Sequence, residues 1–152
     1  MRMNVKGNDC FQTPDDLYKQ LNSIFNFTLD AACTTQNCKC QKGIYHDLGL
    51  DALEVSWAGE RVFCNPPFSQ KADFIQKAYE EVMLGRCPIC VMILPSNCMD
   101  SMVFQKYIYK QFFYEVLAGR VAFIDPTTQK PMVGNNSGTV IVYFKKDIKR
   151  TL

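Results

Sequence analysis

The chain has 152 residues, which suits one domain around one compact core. Apolar residues make up 47% and charged residues 21%, a globular balance that excludes a disordered chain, and no apolar run reaches the roughly 18 residues a membrane helix needs. Net charge is +2, so there is no global polycation, but residues 61–152 carry 12 basic and 7 acidic side chains, compatible with a polyanion partner without demanding one.

In chain order, Gln12–Phe25 opens with Thr-Pro-Asp-Asp and places Leu17, Leu21, Ile24 and Phe25 at helical spacing. Thr13 as N-cap, Pro14 at the first helical position and two early acids make a helix start. Asn26–Ala32 is a short apolar strand ending near an acid, Asp30. Residues 33–51 are polar and irregular, with room for a short helix and a strand. Glu60–Pro67 is a strand stopped by two prolines, and Ser69–Leu84 is an amphipathic helix with Phe74, Ile75, Ala78 and Val82 inward. Ile89–Leu94 is continuously apolar, as in a strand buried on both faces. Asp100–Phe112 reads as a helix. Phe113–Ile124 reads as a strand or strand pair broken near Gly119, and Thr139–Phe144 as a β-branched strand.

This alternation predicts an α/β sandwich with a mostly parallel central sheet and an antiparallel C-terminal hairpin at one edge. Ligands in such sheets bind beyond the carboxyl ends of the strands. That rule selects Asp30, the segment Asn65-Pro66-Pro67-Phe68 and the segment Pro95-Ser96-Asn97, with the helix start at Thr13 able to join them.

The tetrapeptide at 65–68 carries the most chemistry. Asn65 offers a carbonyl acceptor and an amide donor, while Pro66 and Pro67 stiffen the backbone and remove two N–H donors. Phe68 adds a flat apolar face. A planar heterocycle with an exocyclic amine fits: the amine donates to the Asn65 oxygen and the Pro66 carbonyl while the ring stacks on Phe68. Holding both hydrogens aims the nitrogen lone pair, and the carbonyl dipoles stabilise the positive charge that develops on methylation.

Thr13-Pro14, the run LDAA at 29–32, Asn37-x-Lys39-Cys40, Asp51 followed by Trp57, FCNPPFS at 63–69, GRVAF at 119–123 and the closing TVIVYF strand stand in one order. In this the chain resembles the phage-type DNA N6-adenine methyltransferases from about residue 10 to about residue 146. The resemblance implies a single Rossmann-like domain that uses S-adenosylmethionine, acts on DNA in a host-cell cytoplasm, and transfers methyl directly to a flipped adenine with no metal and no covalent enzyme intermediate. It implies that Asn65, Pro66 and Phe68 hold the adenine, with Pro67 fixing the turn. Thr13 and Pro14 would lie at the methionine end of the cofactor. Asp30, Ala31 and Ala32 would line its pocket, Asp30 meeting the amino group. Asn37 would serve the ribose and Asp51 the cofactor's adenine amine. Arg120 and Phe123 would sit near the target base or its phosphates. The basic tail Lys145, Lys146, Lys149 and Arg150 reads as a solvated end or, given that function, as phosphate contacts. The chain departs from the general methyltransferase pattern in having Ala31-Ala32-Cys33 where a glycine-rich turn is usual. There is no space for a separate recognition domain, so DNA sequence choice falls to the loops at 96–109 and 126–137, or to a partner.

The opening MRMNVKGNDC has no apolar h-region, so no signal peptide is expected, and the eight cysteines read as reduced thiols. Cys38-x-Cys40 with Cys87-x-x-Cys90 would make a four-thiolate zinc set, but Cys90 opens an apolar strand, which favours free thiols. His46 has no nucleophile motif beside it and reads as a solvated or hydrogen-bonded residue; Trp57 reads as a core anchor. Two other function classes stay open: methylation of RNA or of a protein glutamine by the same motif, and a non-catalytic nucleic-acid-binding module.

Overall fold

The computed structural model describes residues 11–132 and 137–146; Lys149, Arg150 and part of the 126–137 loop lie outside the described residues. The elements are α1 (Asp15–Phe25), β1 (Leu29–Cys33), β2 (Lys42–Tyr45), β3 (Arg61–Cys64), α2 (Lys71–Met83), β4 (Ile89–Pro95), α3 (Met102–Tyr107), β5 (Phe113–Val116) and β6 (Thr139–Phe144). They form one six-stranded sheet in the order β2-β1-β3-β4-β6-β5. β1 runs parallel to β2 and β3, and β3 parallel to β4. β6 enters between β4 and β5 and is antiparallel to both.

The side chains of the central strands divide by alternation. Val62 and Cys64 of β3, Cys90, Met92 and Leu94 of β4, and Val140, Val142 and Phe144 of β6 pack on the side of α2 and α3. Phe63, Val91, Ile93, Ile141 and Tyr143 point to the other side, against Leu21 of α1 and Phe123. The strand period of two therefore builds two cores from one sheet, and β4 is buried on both faces as its composition requires. Among the described residues no helix is long and apolar enough to cross a membrane.

Local chemistry explains most element ends. α1 stops at Asn26, whose left-handed backbone (φ 52°) lets its N–H reach the Asn22 carbonyl, while the Asn22 side chain accepts from the Phe27 N–H at 2.8 Å. α2 gives way at Gly85 (φ 78°), where the Arg86 and Cys87 N–H groups both reach the Glu81 carbonyl. Trp57 is fully buried, and its backbone N–H donates to the carboxylate of buried Glu81 at 2.6 Å, which ties the loop before β3 to α2.

Several sequence expectations need correction. Thr13 does not cap α1: the helix begins at Asp15 behind an extended Pro14, with no side-chain cap bond, and the Thr13 hydroxyl is used elsewhere. The helix expected over 100–112 is confined to Met102–Tyr107, because Lys110 takes a left-handed conformation (φ 65°) and the run Tyr107-Ile108-Tyr109 has weak helix preference. The strand or strand pair expected over 113–124 does break at Gly119 (φ 74°), but its first part ends at Val116 and its second part is reduced to the bridges of Ile124 to Gln12 and Pro131. The first strand starts three residues late, at Leu29, and the strand hidden in the irregular stretch is β2.

Candidate active site

The parallel strands β1, β3 and β4 end on one side of the sheet, so Asp30 to Cys33, Asn65 to Phe68 and Pro95 to Asn97 come together there. Two cavities open at that edge, and Asn65 lines both. One is a narrow cleft between Thr13, Asp30, Asn37, Lys39 and Asn65. The other, of about 320 Å³, lies between Phe68, Lys71, Asn97, Phe123 and Thr139.

Asn65 stands at the join with a defined orientation. Its Nδ2 donates to the Phe11 carbonyl at 2.8 Å and to the Thr13 Oγ1 at 3.0 Å. Both amide hydrogens are thereby committed, and Oδ1 remains as the accepting atom. The segment that makes these bonds is itself pinned: Gln12 exchanges two 2.9 Å backbone bonds with Ile124. Pro66 and Pro67 are buried, and the Pro67 carbonyl accepts the Gln70 N–H that begins the turn into α2. Phe68 is left on the surface of the wider cavity, with Phe11 edge-on at 5.6 Å.

Asp30 dominates the electrostatics of the narrow cleft. It is 2% exposed; Oδ1 accepts from the Ala32 N–H at 3.2 Å and Oδ2 from the Lys39 N–H at 3.0 Å. Burial nevertheless pushes its carboxyl up to about 7, because two N–H bonds and the Lys39 charge do not offset the loss of water. His46, also on this cleft, is held below its ordinary value by burial and so is neutral at physiological pH. Asn37 closes the loop after β1, its Oδ1 accepting the Thr34 N–H at 2.6 Å. The cleft shares Gln12, Thr13, Asn37 and Lys39 with a broad groove of about 990 Å³ that also reaches Pro14 and Tyr18.

The wider cavity is apolar on one wall and polar at its rim. Phe11, Phe68, Phe123 and Met132 converge on a small apolar recess beside it. At the rim, Ser137 Oγ accepts the Asn97 N–H at 3.3 Å, and the Ser96 N–H reaches the Gly138 carbonyl at 2.8 Å. A Cβ on Gly138 would stand 2.8 Å from Ser96 Oγ and 3.2 Å from an Arg120 guanidinium nitrogen, so the exposed Arg120 lies across this rim.

Of the residues singled out from sequence, the structure therefore gathers Thr13, Asp30, Ala32, Asn37, Asn65, Pro67, Phe68, Arg120 and Phe123 at this edge, with Pro14 on the adjoining groove. Ala31 is fully buried in the core on the α2 side. Asp51 is buried, accepts the Leu53 N–H at 2.9 Å and lines neither cavity. Lys145 and Lys146 follow Phe144, which pairs with Cys90 at the opposite end of β4 from Pro95, so they sit at the far end of the sheet. The cysteines are separated too. Cys87 donates to the Glu60 and Ile89 carbonyls before β4, while Cys33 and Cys38 lie with Asp30 beside β2, their thiols donating to backbone carbonyls.

Sequence reasoning missed Phe11, Lys71 and Met132, and gave Lys39 no role. Lys71 lines the wider cavity and donates to the Phe68 carbonyl at 3.1 Å; its position two residues after the NPPF-S segment was a usable signal. Phe11 and Met132 carried none, because only the pairing of Gln12 and Phe123 with distant segments brings them here.

The chain matches the family model of the DNA N-6-adenine-methyltransferases (Dam) over residues 2–151. It is also similar to a DNA N-6-adenine-methyltransferase of Escherichia phage T1, at 26% identity over 157 aligned residues that cover 91% of this chain and 63% of that protein. The chain thus spans a little under two thirds of that relative's length. With a family match of this extent laid over a cleft built around Asn65-Pro66-Pro67-Phe68, the chain belongs to the DNA N-6-adenine-methyltransferase (Dam) family.

Proposed function

We propose that this protein transfers a methyl group from S-adenosylmethionine to the exocyclic N6 amine of an adenine flipped out of DNA. The observation that carries the reading is Asn65: one side chain faces both cavities, with its amide nitrogen held by Phe11 and Thr13 and its carbonyl oxygen left to accept. In the same reading the sandwich is a single Rossmann-like methyltransferase domain, supported by four parallel strands, an antiparallel β6 inserted beside β4, and clefts at the carboxyl ends.

The residues of the narrow cleft fit the cofactor. Asp30 suits an ammonium group, Thr13 and Asn37 supply polar contacts, and the adjoining groove gives room for the remainder. When bound, S-adenosylmethionine supplies an electrophilic methyl carbon on a sulfonium. The chain's own residues do the rest. The wider cavity takes the base, with Phe68 and Phe123 offering apolar surface to its ring. Asn65 Oδ1 and the Pro66 carbonyl accept the two amine hydrogens, which turns the nitrogen lone pair toward the narrow cleft. Their dipoles stabilise the charge on nitrogen as the new bond forms, and one proton then leaves the amine to water. Arg120 at the rim and Lys71 in the cavity are placed for the phosphates beside the flipped nucleotide.

The test is incubation of unmethylated DNA with methyl-labelled cofactor, digestion to nucleosides and mass detection. N6-methyladenine is expected, and Asn65→Ala is expected to lower its rate by about 10²–10³-fold. Label in RNA or in a protein glutamine instead of DNA, or an Asn65→Ala variant with full activity, would overturn the reading. A wild type that binds DNA but neither cofactor nor methyl would favour a binding module.

A further inference from the structure

Where the narrow cleft meets the adjoining groove, Lys39 and Asp15 form a charged pair that the proposed chemistry leaves unused. Among the described residues Lys39 is the one lysine or arginine that lines the narrow cleft, and it lines the adjoining groove together with Lys19. Its side chain is 17% exposed, yet its ion-pair partner is Asp15, 79% exposed on the first turn of α1, at 2.5 Å. An enclosed ammonium held by an exposed carboxylate is an exchangeable arrangement, since such a pair contributes little in water. Lys39 is also joined to the cleft's buried acid, because its backbone N–H donates to Asp30 Oδ2 at 3.0 Å. Asp30 in β1 and Lys39 on the loop that follows it, closed by the bond from the Thr34 N–H to Asn37 Oδ1, therefore line the same space. His46, the other basic residue on the cleft, is held neutral and cannot take the cation's place.

An amino-acid zwitterion needs that complement: an acid for its ammonium and a base for its carboxylate. Resting on the cofactor assignment above, we infer that Lys39 is the receptor for the α-carboxylate at the methionine end of S-adenosylmethionine, exchanging Asp15 for the ligand. Lys39 is then the residue by which the cleft distinguishes the intact cofactor from analogues that lack the carboxylate. Asp15 acts as a placeholder that keeps the ammonium paired until the ligand arrives.

Calorimetric titration with two ligands tests this without reference to activity: S-adenosylmethionine, and its decarboxylated analogue, which keeps the sulfonium, the adenosine and the terminal amine. Wild type is expected to prefer the carboxylate-bearing ligand about tenfold. Lys39→Met is expected to raise Kd for S-adenosylmethionine about tenfold and to leave the analogue within about twofold, erasing the preference. Asp15→Asn, which removes the competitor and leaves Lys39 intact, is expected to tighten S-adenosylmethionine severalfold and the analogue not at all. Equal weakening of both ligands in Lys39→Met would mean that Lys39 only holds the loop, and a retained preference would place the carboxylate elsewhere; either result overturns the inference while cofactor binding and methylation by wild type leave the function intact. A wild type that binds neither ligand and methylates no DNA would overturn the methyltransferase reading itself.

Discussion

Asp30→Asn is expected to change the sign of its effect on stability between acid and alkaline pH. The Asp30 carboxyl is pushed from its ordinary 3.8 up to about 7, chiefly by burial, against the opposing pull of the Lys39 and Ala32 N–H groups. Between those two values the unfolded chain has released a proton that the native protein still holds. Native stability therefore falls as pH rises through this window, by about 4 kcal/mol over its whole span, and levels off above it. Asparagine does not ionise and removes that slope. It also turns an NH2 toward one of the two donors that Asp30 now accepts, the Ala32 N–H or the Lys39 N–H, which costs about 1–3 kcal/mol at every pH. The variant should thus be less stable than wild type by about 1–3 kcal/mol near pH 4 and more stable by a similar amount near pH 8. Urea unfolding followed by circular dichroism, at pH values from 4 to 8, reads the difference directly, and every other titrating group cancels between the two proteins. At pH 8 the stabilised variant should bind S-adenosylmethionine more weakly than wild type, so that stability and cofactor binding move in opposite directions. A stability difference that stays constant across the series would refute the argument, because it would mean that Asp30 ionises as easily in the folded protein as in the unfolded chain.

Three further outcomes follow from the geometry. Thr13→Val takes away an acceptor of the Asn65 amide and should lower kcat about tenfold with a stability loss near 1 kcal/mol, whereas Thr13→Ser should keep both; a Thr13→Val enzyme at full rate would show that the amide needs no such clamp. Glu81→Ala leaves the buried Trp57 N–H without its acceptor and Arg86 without its partner, and should cost about 3 kcal/mol in chemical denaturation while the folded fraction keeps its methylation rate; a loss under about 1 kcal/mol would discount this anchor. Gly43→Ala would set a methyl carbon 2.6 Å from the sulfurs of Cys33 and Cys38 and from Tyr45 Cε1, so calorimetry should show a destabilisation of about 1–3 kcal/mol, partly recovered by adding Cys38→Ala; a neutral Gly43→Ala would mean that the thiols move aside freely.

What could be read along the chain was whatever a few neighbouring residues decide together. The apolar run Ile89–Leu94 announced a strand covered on both faces, and it is. The two prolines after β3 announce a strand end, and the rule that parallel sheets bind ligands at their carboxyl ends selects Asp30, Asn65 and Asn97, which the fold brings to one edge. Thr13 shows where such reading stops. Locally, Thr-Pro-Asp-Asp is a helix start, and on that pattern the hydroxyl caps the helix. In the folded chain it meets an amide 52 residues away, because the Gln12 to Ile124 bridge carries this segment across the sheet edge. Lys39 is the same case: nothing in Asn37-x-Lys39-Cys40 says that its ammonium reaches the first turn of α1. Lys145 and Lys146 show the converse, a basic pair that sequence offered to DNA and that the antiparallel course of β6 delivers to the far end of the sheet. Periodicity and turn chemistry act over a handful of residues, so they determine elements and their ends; which side chains share a cavity depends on strand order and direction, and those are settled only when the sheet closes.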